Sequence, residues 1–93
     1  MMIYKYPLKT VEHQRVAIQT AGHGLLTAGL DVLDGRICLW AEVDPDLPTI
    51  IYNVYVIGTG QTIPSNCHYV GTVFDRPYVW HIYIKEVKPD VNV

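Results

Sequence analysis

The dipeptide Asp34-Gly35 stands between two stretches in which apolar residues alternate with others, Leu26 to Val32 before it and Ile37 to Val43 after it. A two-residue type I′ turn needs positive φ at both central positions, which this pair tolerates, so the spacing predicts a β-hairpin. With Leu33 and Arg36 flanking the turn, Val32 is expected opposite Ile37, Leu30 opposite Leu39, Ala28 opposite Ala41 and Leu26 opposite Val43. That face is wholly apolar. The other face pairs Asp31 with Cys38, Gly29 with Trp40 and Thr27 with Glu42, which lays an indole over a bare strand glycine. A slip of one residue would carry Asp31 and Glu42 into the core, so pattern and turn chemistry select the same hairpin.

The rest of the chain follows the same grammar. Val and Ile together number 21 and the aromatics ten, seven of them Tyr, a mixture that suits pleated surfaces. Ile3 to Tyr6 and Val11 to Gln19 read as strands separated by Pro7-Leu8-Lys9-Thr10, and Ala21-Gly22-His23-Gly24 reads as a turn. Asp44-Pro45-Asp46-Leu47-Pro48 interrupts the ladder by removing backbone donors, and the β-branched run Thr49 to Gly58 is expected as a central strand. After the polar connection Gly58 to Asn66, the strands His68 to Phe74 and Tyr78 to Val87 form a second hairpin around Asp75-Arg76-Pro77. The tail Lys88 to Val93 is expected to fray. The chain shows no 3.6-residue period, repeat or linker, and 93 residues have room for one core. Residues 1–93 are therefore expected to form a single all-β domain, a small antiparallel sandwich or barrel of six to seven strands.

Charge and cysteine usage narrow the function classes. Seven Lys plus Arg against nine Asp plus Glu leave a net charge of −2, with no basic run to release counterions from a nucleic-acid backbone. Nucleic-acid coating is not expected. No apolar run approaches the roughly 20 residues that span a bilayer, and the first residues lack a signal-peptide pattern, so no membrane partner and a cytoplasmic location are expected. Cys38 and Cys67 are expected as reduced thiols.

Several constellations invite a chemical reading. Zinc sites in small domains show close ligand pairs, whereas only Cys67 and His68 are neighbours here, and adjacent strand residues face opposite ways. No metal site and no cofactor are expected from His13, His23, His68, His81 and the cysteines. Cys67, His81 and Asp75 can be written as a nucleophile, base and carboxylate, a combination that most sequences supply. Neither cysteine has a lysine or arginine beside it in sequence to lower its pKa. Asp44 and Asp46 flank Pro45 where aspartate serves turn hydrogen bonds, so no catalytic residues are assigned.

The informative stretch is Gly58-Thr59-Gly60 with Gln61, Thr62, Ser65 and Asn66. Amides freed by glycine beside hydroxyls can cradle a phosphate, although a bulge and turn have the same composition. A dinucleotide-binding motif would need a helix next, and Pro64 and a strand follow instead. Arg15, Arg36 and Arg76 are the guanidiniums that could pair with an anion. The aromatic surplus exceeds what a small core absorbs with its polar tips satisfied. Strand Tyr78 to Val87 is apolar on both faces, which suggests a sandwich interior or a homo-oligomer.

The order of these residues resembles a family of small proteins of unassigned role encoded mainly by bacteriophages and prophages. The segments that carry the resemblance are Tyr4-Lys5-Tyr6-Pro7-Leu8, Asp34-Gly35 with Cys38-Leu39-Trp40-Ala41 and Val43-Asp44-Pro45, Val56-Ile57-Gly58-Thr59-Gly60, Tyr69-Val70-Gly71-Thr72 and Val79-Trp80-His81. Two places depart from that pattern: Ala21-Gly22-His23-Gly24, where a proline-containing turn is expected, and Gln61, where histidine is more usual. The second removes a loop histidine and weakens an enzymatic reading.

The resemblance, the small size and the lack of a catalytic constellation imply a non-enzymatic phage accessory protein that interferes with a host defence or regulatory pathway. It would capture a small anionic, nucleotide-like signal or occlude a host protein. Capture would use Gly58, Thr59, Gly60, Gln61, Arg36, Arg76, Trp40 and His81, in a homo-oligomer. The alternatives are a virion or assembly component and, ranked last, a small nucleotide-cleaving hydrolase using His68 or His81.

Overall fold

The computed structural model describes residues 1–20 and 24–87, with backbone alone at Leu25 and Leu26. Seven strands follow one another: β1 (Met2–Pro7), β2 (His13–Gln19), β3 (Leu25–Asp31), β4 (Arg36–Val43), β5 (Thr49–Gly58), β6 (His68–Asp75) and β7 (Tyr78–Glu86). They form two antiparallel sheets, one of three strands in the order β1-β4-β3 and one of four in the order β2-β5-β7-β6, and no barrel closes. The expected turn at 21–24, apart from Gly24, and the expected fraying of 88–93 lie outside the described residues. No helix among the described residues is long and apolar enough to cross a membrane.

The sheets share a core in which alternation decides each contributor. Ile37, Leu39, Ala41 and Val43 of β4 face Tyr52, Val54 and Val56 of β5, with Ile18, Val73 and Ile82 from the strands around them. β5 is a central strand, as its β-branched run predicts, paired with β2 on one side and β7 on the other. In β7, Trp80, Ile82 and Ile84 meet the core. Its second face, Val79, His81, Tyr83 and Lys85, looks outward and is half-buried. A sandwich interior thus accounts for one of the two apolar faces.

The first hairpin forms with a correction. Asp31 pairs with Arg36, Leu30 with Ile37 and Ala28 with Leu39, so the loop is the four residues Val32 to Gly35 and not the pair Asp34-Gly35. Only Gly35 takes positive φ, at 71°. Two aspartates account for the longer loop: Asp31 Oδ1 accepts the Leu33 amide and Asp34 Oδ1 the Arg36 amide, each at 3.0 Å. The Gly35 amide closes the loop by donating to Asp31 O at 2.7 Å. Because the register moves by two residues, the side chains from Thr27 to Leu30 and along β4 keep their expected faces. Val32 and Leu33 do not, and stand 84% and 94% exposed on the loop.

A bulge between Leu25 and Thr27 then places Leu25 opposite Ala41, so the expected Leu26–Val43 pair does not form. Trp40 stands opposite Thr27 and still covers Gly29, where a Cβ would lie 3.3 Å from the indole. Cys38 is buried on the outward side of β4, and both cysteines are free thiols.

Candidate functional site

The connection after β5 is built by its glycines. Gln61 N–H donates to Gly58 O at 3.1 Å across a four-residue turn, and Gly60 occupies the third position at φ 93°. Positive φ at that position is the type II requirement, which glycine meets without steric cost. Gln61 also folds its side chain back, and its Oε1 accepts the Gly58 amide at 2.6 Å. The Gly58 amide, expected to be open to a phosphate, is therefore occupied by the chain itself.

The turn leans over the outward face of β7. Thr59 Oγ1 lies 2.9 Å from His81 Nε2, and His81 Nδ1 lies 3.1 Å from Thr72 Oγ1. Thr72 Oγ1 in turn meets Tyr69 Oη at 2.6 Å. This hydroxyl–imidazole–hydroxyl–phenol chain joins the turn, β7 and β6. Beside it lies a hollow of about 230 Å³ lined by the turn residues Gly58 to Gln61 with Ile57, Ile63, His81 and Tyr83. Ile57 has an outward position in β5 yet is only 5% exposed.

Five of the eight expected ligand residues, Gly58, Thr59, Gly60, Gln61 and His81, thus meet in one hollow. The other three do not join them. Arg36 opens β4 opposite Asp31, and Trp40 belongs to the three-stranded sheet. Arg76 sits in the β6–β7 turn, next to Pro77, which lines a shallower cleft behind the same turn with Thr59, Gln61 and Tyr78. The charge partners expected from arginine are absent from the hollow for a topological reason: Arg36 lies at a hairpin tip of the other sheet. A wider depression of about 670 Å³ lies between Tyr52, Asn66, His68, Lys85, Glu86 and Val87.

The chain matches a family described as a domain of unknown function (DUF7352) over residues 1–92. It belongs to that family. Neither the curated proteins nor the solved structures include a match to it. The family assignment covers both sheets and carries no chemistry, so the side chains have to supply it.

They speak against the written-down triad. Both ring nitrogens of His81 are engaged by threonine hydroxyls. Cys67 Sγ donates to Ser65 O at 3.7 Å, and Asp75 stands opposite Tyr78 at the hairpin turn. Among the described residues no three His, Cys, Asp or Glu side chains gather as metal ligands. Tyr83, Ile57 and Ile63 are pocket residues that sequence reading missed. Tyr83 was legible as an outward residue of β7, whereas Ile63 reaches the hollow only through the path of the connection.

Proposed function

We propose that the protein acts by binding, holding a small nucleotide-like anion between the Gly58–Gln61 turn and the outward face of the four-stranded sheet. The observation that carries this reading is the hollow in which Thr59 and His81 present polar atoms beside the ring of Tyr83 and two isoleucines. An aromatic and aliphatic wall suits a base, and the Thr59 hydroxyl, which both donates and accepts, suits its polar edge while His81 holds it in place. At about 230 Å³ the hollow is smaller than the roughly 300–1,000 Å³ of sites for drug-sized ligands, so part of the ligand lies outside it. A hydroxyl orients the His81 ring where a catalytic base would have a carboxylate, which favours binding over hydrolysis.

The resemblance to phage and prophage proteins supports a setting for such capture, the removal of a host defence or regulatory signal in the bacterial cytoplasm. A second reading has its own observation. β1 is an edge strand whose Met2, Ile3 and Tyr4 are exposed, a surface suited to occluding a host protein, to homo-oligomer formation or to particle assembly. Native mass spectrometry of the protein purified from its host, followed by calorimetric titration with mononucleotides, separates the two. Capture requires a retained or titratable anion whose binding is lost in Thr59→Ala and His81→Ala. An empty protein that binds no nucleotide overturns it.

A further inference from the structure

Four outward side chains of the four-stranded sheet fall in one row across it. His13 of β2 stands opposite Tyr55 of β5, Tyr55 opposite Tyr83 of β7, and Tyr83 opposite Tyr69 of β6. The first two rings stack at 4.9 Å and 22°, and the last two meet edge to face at 5.5 Å and 63°. Three steps of strand spacing make the row about 14 Å long. His13 and Tyr69 are exposed and the middle pair half-buried, so the row is two ring pairs side by side across the sheet.

The next row along the strands is Arg15, Asn53 and Lys85. Asn53 Oδ1 lies 2.6 Å from His13 Nε2 and accepts from Arg15 Nε at 3.4 Å, so the amide holds both side chains beside the aromatic row. Lys85 Nζ donates to Ser65 O at 3.5 Å, which brings the ammonium to the other end of the row. No carboxylate among the described residues occupies an outward position on these four strands, although the chain as a whole is formally −2. Glu86 adjoins the cationic row, lining the same depression as Asn53 and Lys85, while the aromatic row itself carries no carboxylate.

We infer that this face binds single-stranded nucleic acid, with bases stacked along His13, Tyr55, Tyr83 and Tyr69 and phosphates set on Arg15 and Lys85. Every base has a π-face, so a row of rings holds bases without reading their identity. A duplex hides those faces in its own stack. Two cations beside the row make a local contact, which differs from the coating of a polyanion by a basic run. The inference rests on the binding reading above and extends it, because Tyr83 belongs both to the row and to the wall of the hollow. The hollow then takes a terminal base.

The test is fluorescence anisotropy of the full chain with labelled oligothymidylate and oligouridylate of about eight nucleotides, within the range of single-strand site sizes. Binding is expected, with unlabelled duplex failing to compete. Tyr55→Leu and Tyr69→Leu, both outside the hollow, should each weaken it about tenfold, whereas Tyr55→Phe retains it. Two phosphate contacts give a log–log salt slope of about −1.4. Circular dichroism melts check that the variants fold. A mononucleotide that binds through Thr59 and His81, with an oligomer no tighter and Tyr55→Leu without effect, overturns this inference and leaves the binding reading standing. No binding of either overturns both. A dimer that Tyr55→Leu dissociates, with oligonucleotides unbound, assigns the row to a second copy of the chain and overturns the inference.

Discussion

Gly71 of β6 lies against the backbone of Ala28 in β3, joining edge strands of the two sheets: a Cβ on Gly71 would come within 3.1 Å of Ala28 O and 3.3 Å of Ala28 N. The obstacle is main chain held in a ladder, which cannot swing aside as a side-chain end can. Gly71→Ala is expected to destabilise the fold by about 1–2 kcal/mol and Gly71→Val by more, as overpacking does. Urea denaturation with an unchanged m-value checks this, and equal midpoints for wild type and Gly71→Ala would show that the sheets can part at no cost.

That contact also shows what a sequence leaves hidden. Tyr69-Val70-Gly71-Thr72 reads plainly as strand, but the need for glycine comes from β3, more than forty residues away. All seven strands were legible from alternation and turn residues because these are local signals. The first hairpin was read two residues out of register because two aspartate side chains offer the loop amides a partner that a bare Asp-Gly turn does not need. Up to the bulge before Thr27 the faces survived, since an even shift preserves the alternation. The aromatic row was not legible, because it depends on the order β2-β5-β7, which brings His13 beside Tyr55 and Tyr55 beside Tyr83, and on the bulge between Tyr69 and Gly71, which sets Tyr69 opposite Tyr83. Five of the eight expected ligand residues assembled because Gly58 to Gln61 are contiguous and His81 stands opposite Ile57 on the neighbouring strand.

The side chain of Gln61 closes the turn that its own backbone starts. Gln61→Ala removes the acceptor of the Gly58 amide, and because the turn is exposed, water replaces it at a cost of about 0.5–1.5 kcal/mol. The local effect should be larger than the global one. Amide exchange at Gly58 is expected to accelerate while the core amides of Val54 and Ile82 keep their protection. Unchanged exchange at Gly58 would mean that the turn is held by its backbone alone.

The two thiols should react differently. Burial pushes the Cys38 thiol above its ordinary pKa, against the pull of the nearby Lys5 ammonium, so the reactive thiolate is depleted in a side chain that solvent does not reach. Cys67 is only partly buried. Native protein at neutral pH is expected to take one alkyl group, at Cys67, and to accept the second only with denaturant. Mass spectrometry of the alkylated protein reads the difference, and rapid modification of Cys38 would indicate that β1 lifts off β4.

Asp31 and Lys5 form an ion pair across β4 that should set a mild acid limb. The Lys5 hydrogen bond, helped by the Leu33 amide, holds the Asp31 carboxyl below its ordinary pKa, and the same bond raises Lys5. The folded state therefore releases the Asp31 proton more readily than the unfolded chain. The resulting stability is present above the ordinary carboxylate range and is lost as pH falls through the lowered value. For Lys5 the contribution is present below its ordinary value and lost as pH rises through the raised one. The pair is solvent-screened, so the effect on the melting temperature is small and the titration itself is the better readout. In Lys5→Met, the Asp31 carboxyl resonance should titrate at higher pH, while the retained Leu33 amide keeps it from returning fully to the ordinary range.

Tyr52 carries a buried hydroxyl for which the described residues provide no hydrogen-bond partner. Leaving such a group unpaired costs about 1–3 kcal/mol, whereas its ring packs in the core with Val54 and Val56. Tyr52→Phe deletes the hydroxyl and keeps the ring, so it is expected to leave stability unchanged or to raise it by about 1 kcal/mol. Burial, and after it the charge of Glu86, also raises the Tyr52 pKa. The folded chain therefore holds this proton more tightly than the unfolded one, and stability falls as pH rises from the ordinary phenol range toward the raised value. Tyr52→Phe should flatten that alkaline fall in a series of thermal melts. A loss of stability in Tyr52→Phe at neutral pH would mean that the hydroxyl has a partner, and the depression bounded by Asn66, His68 and Glu86 is where that partner would bind.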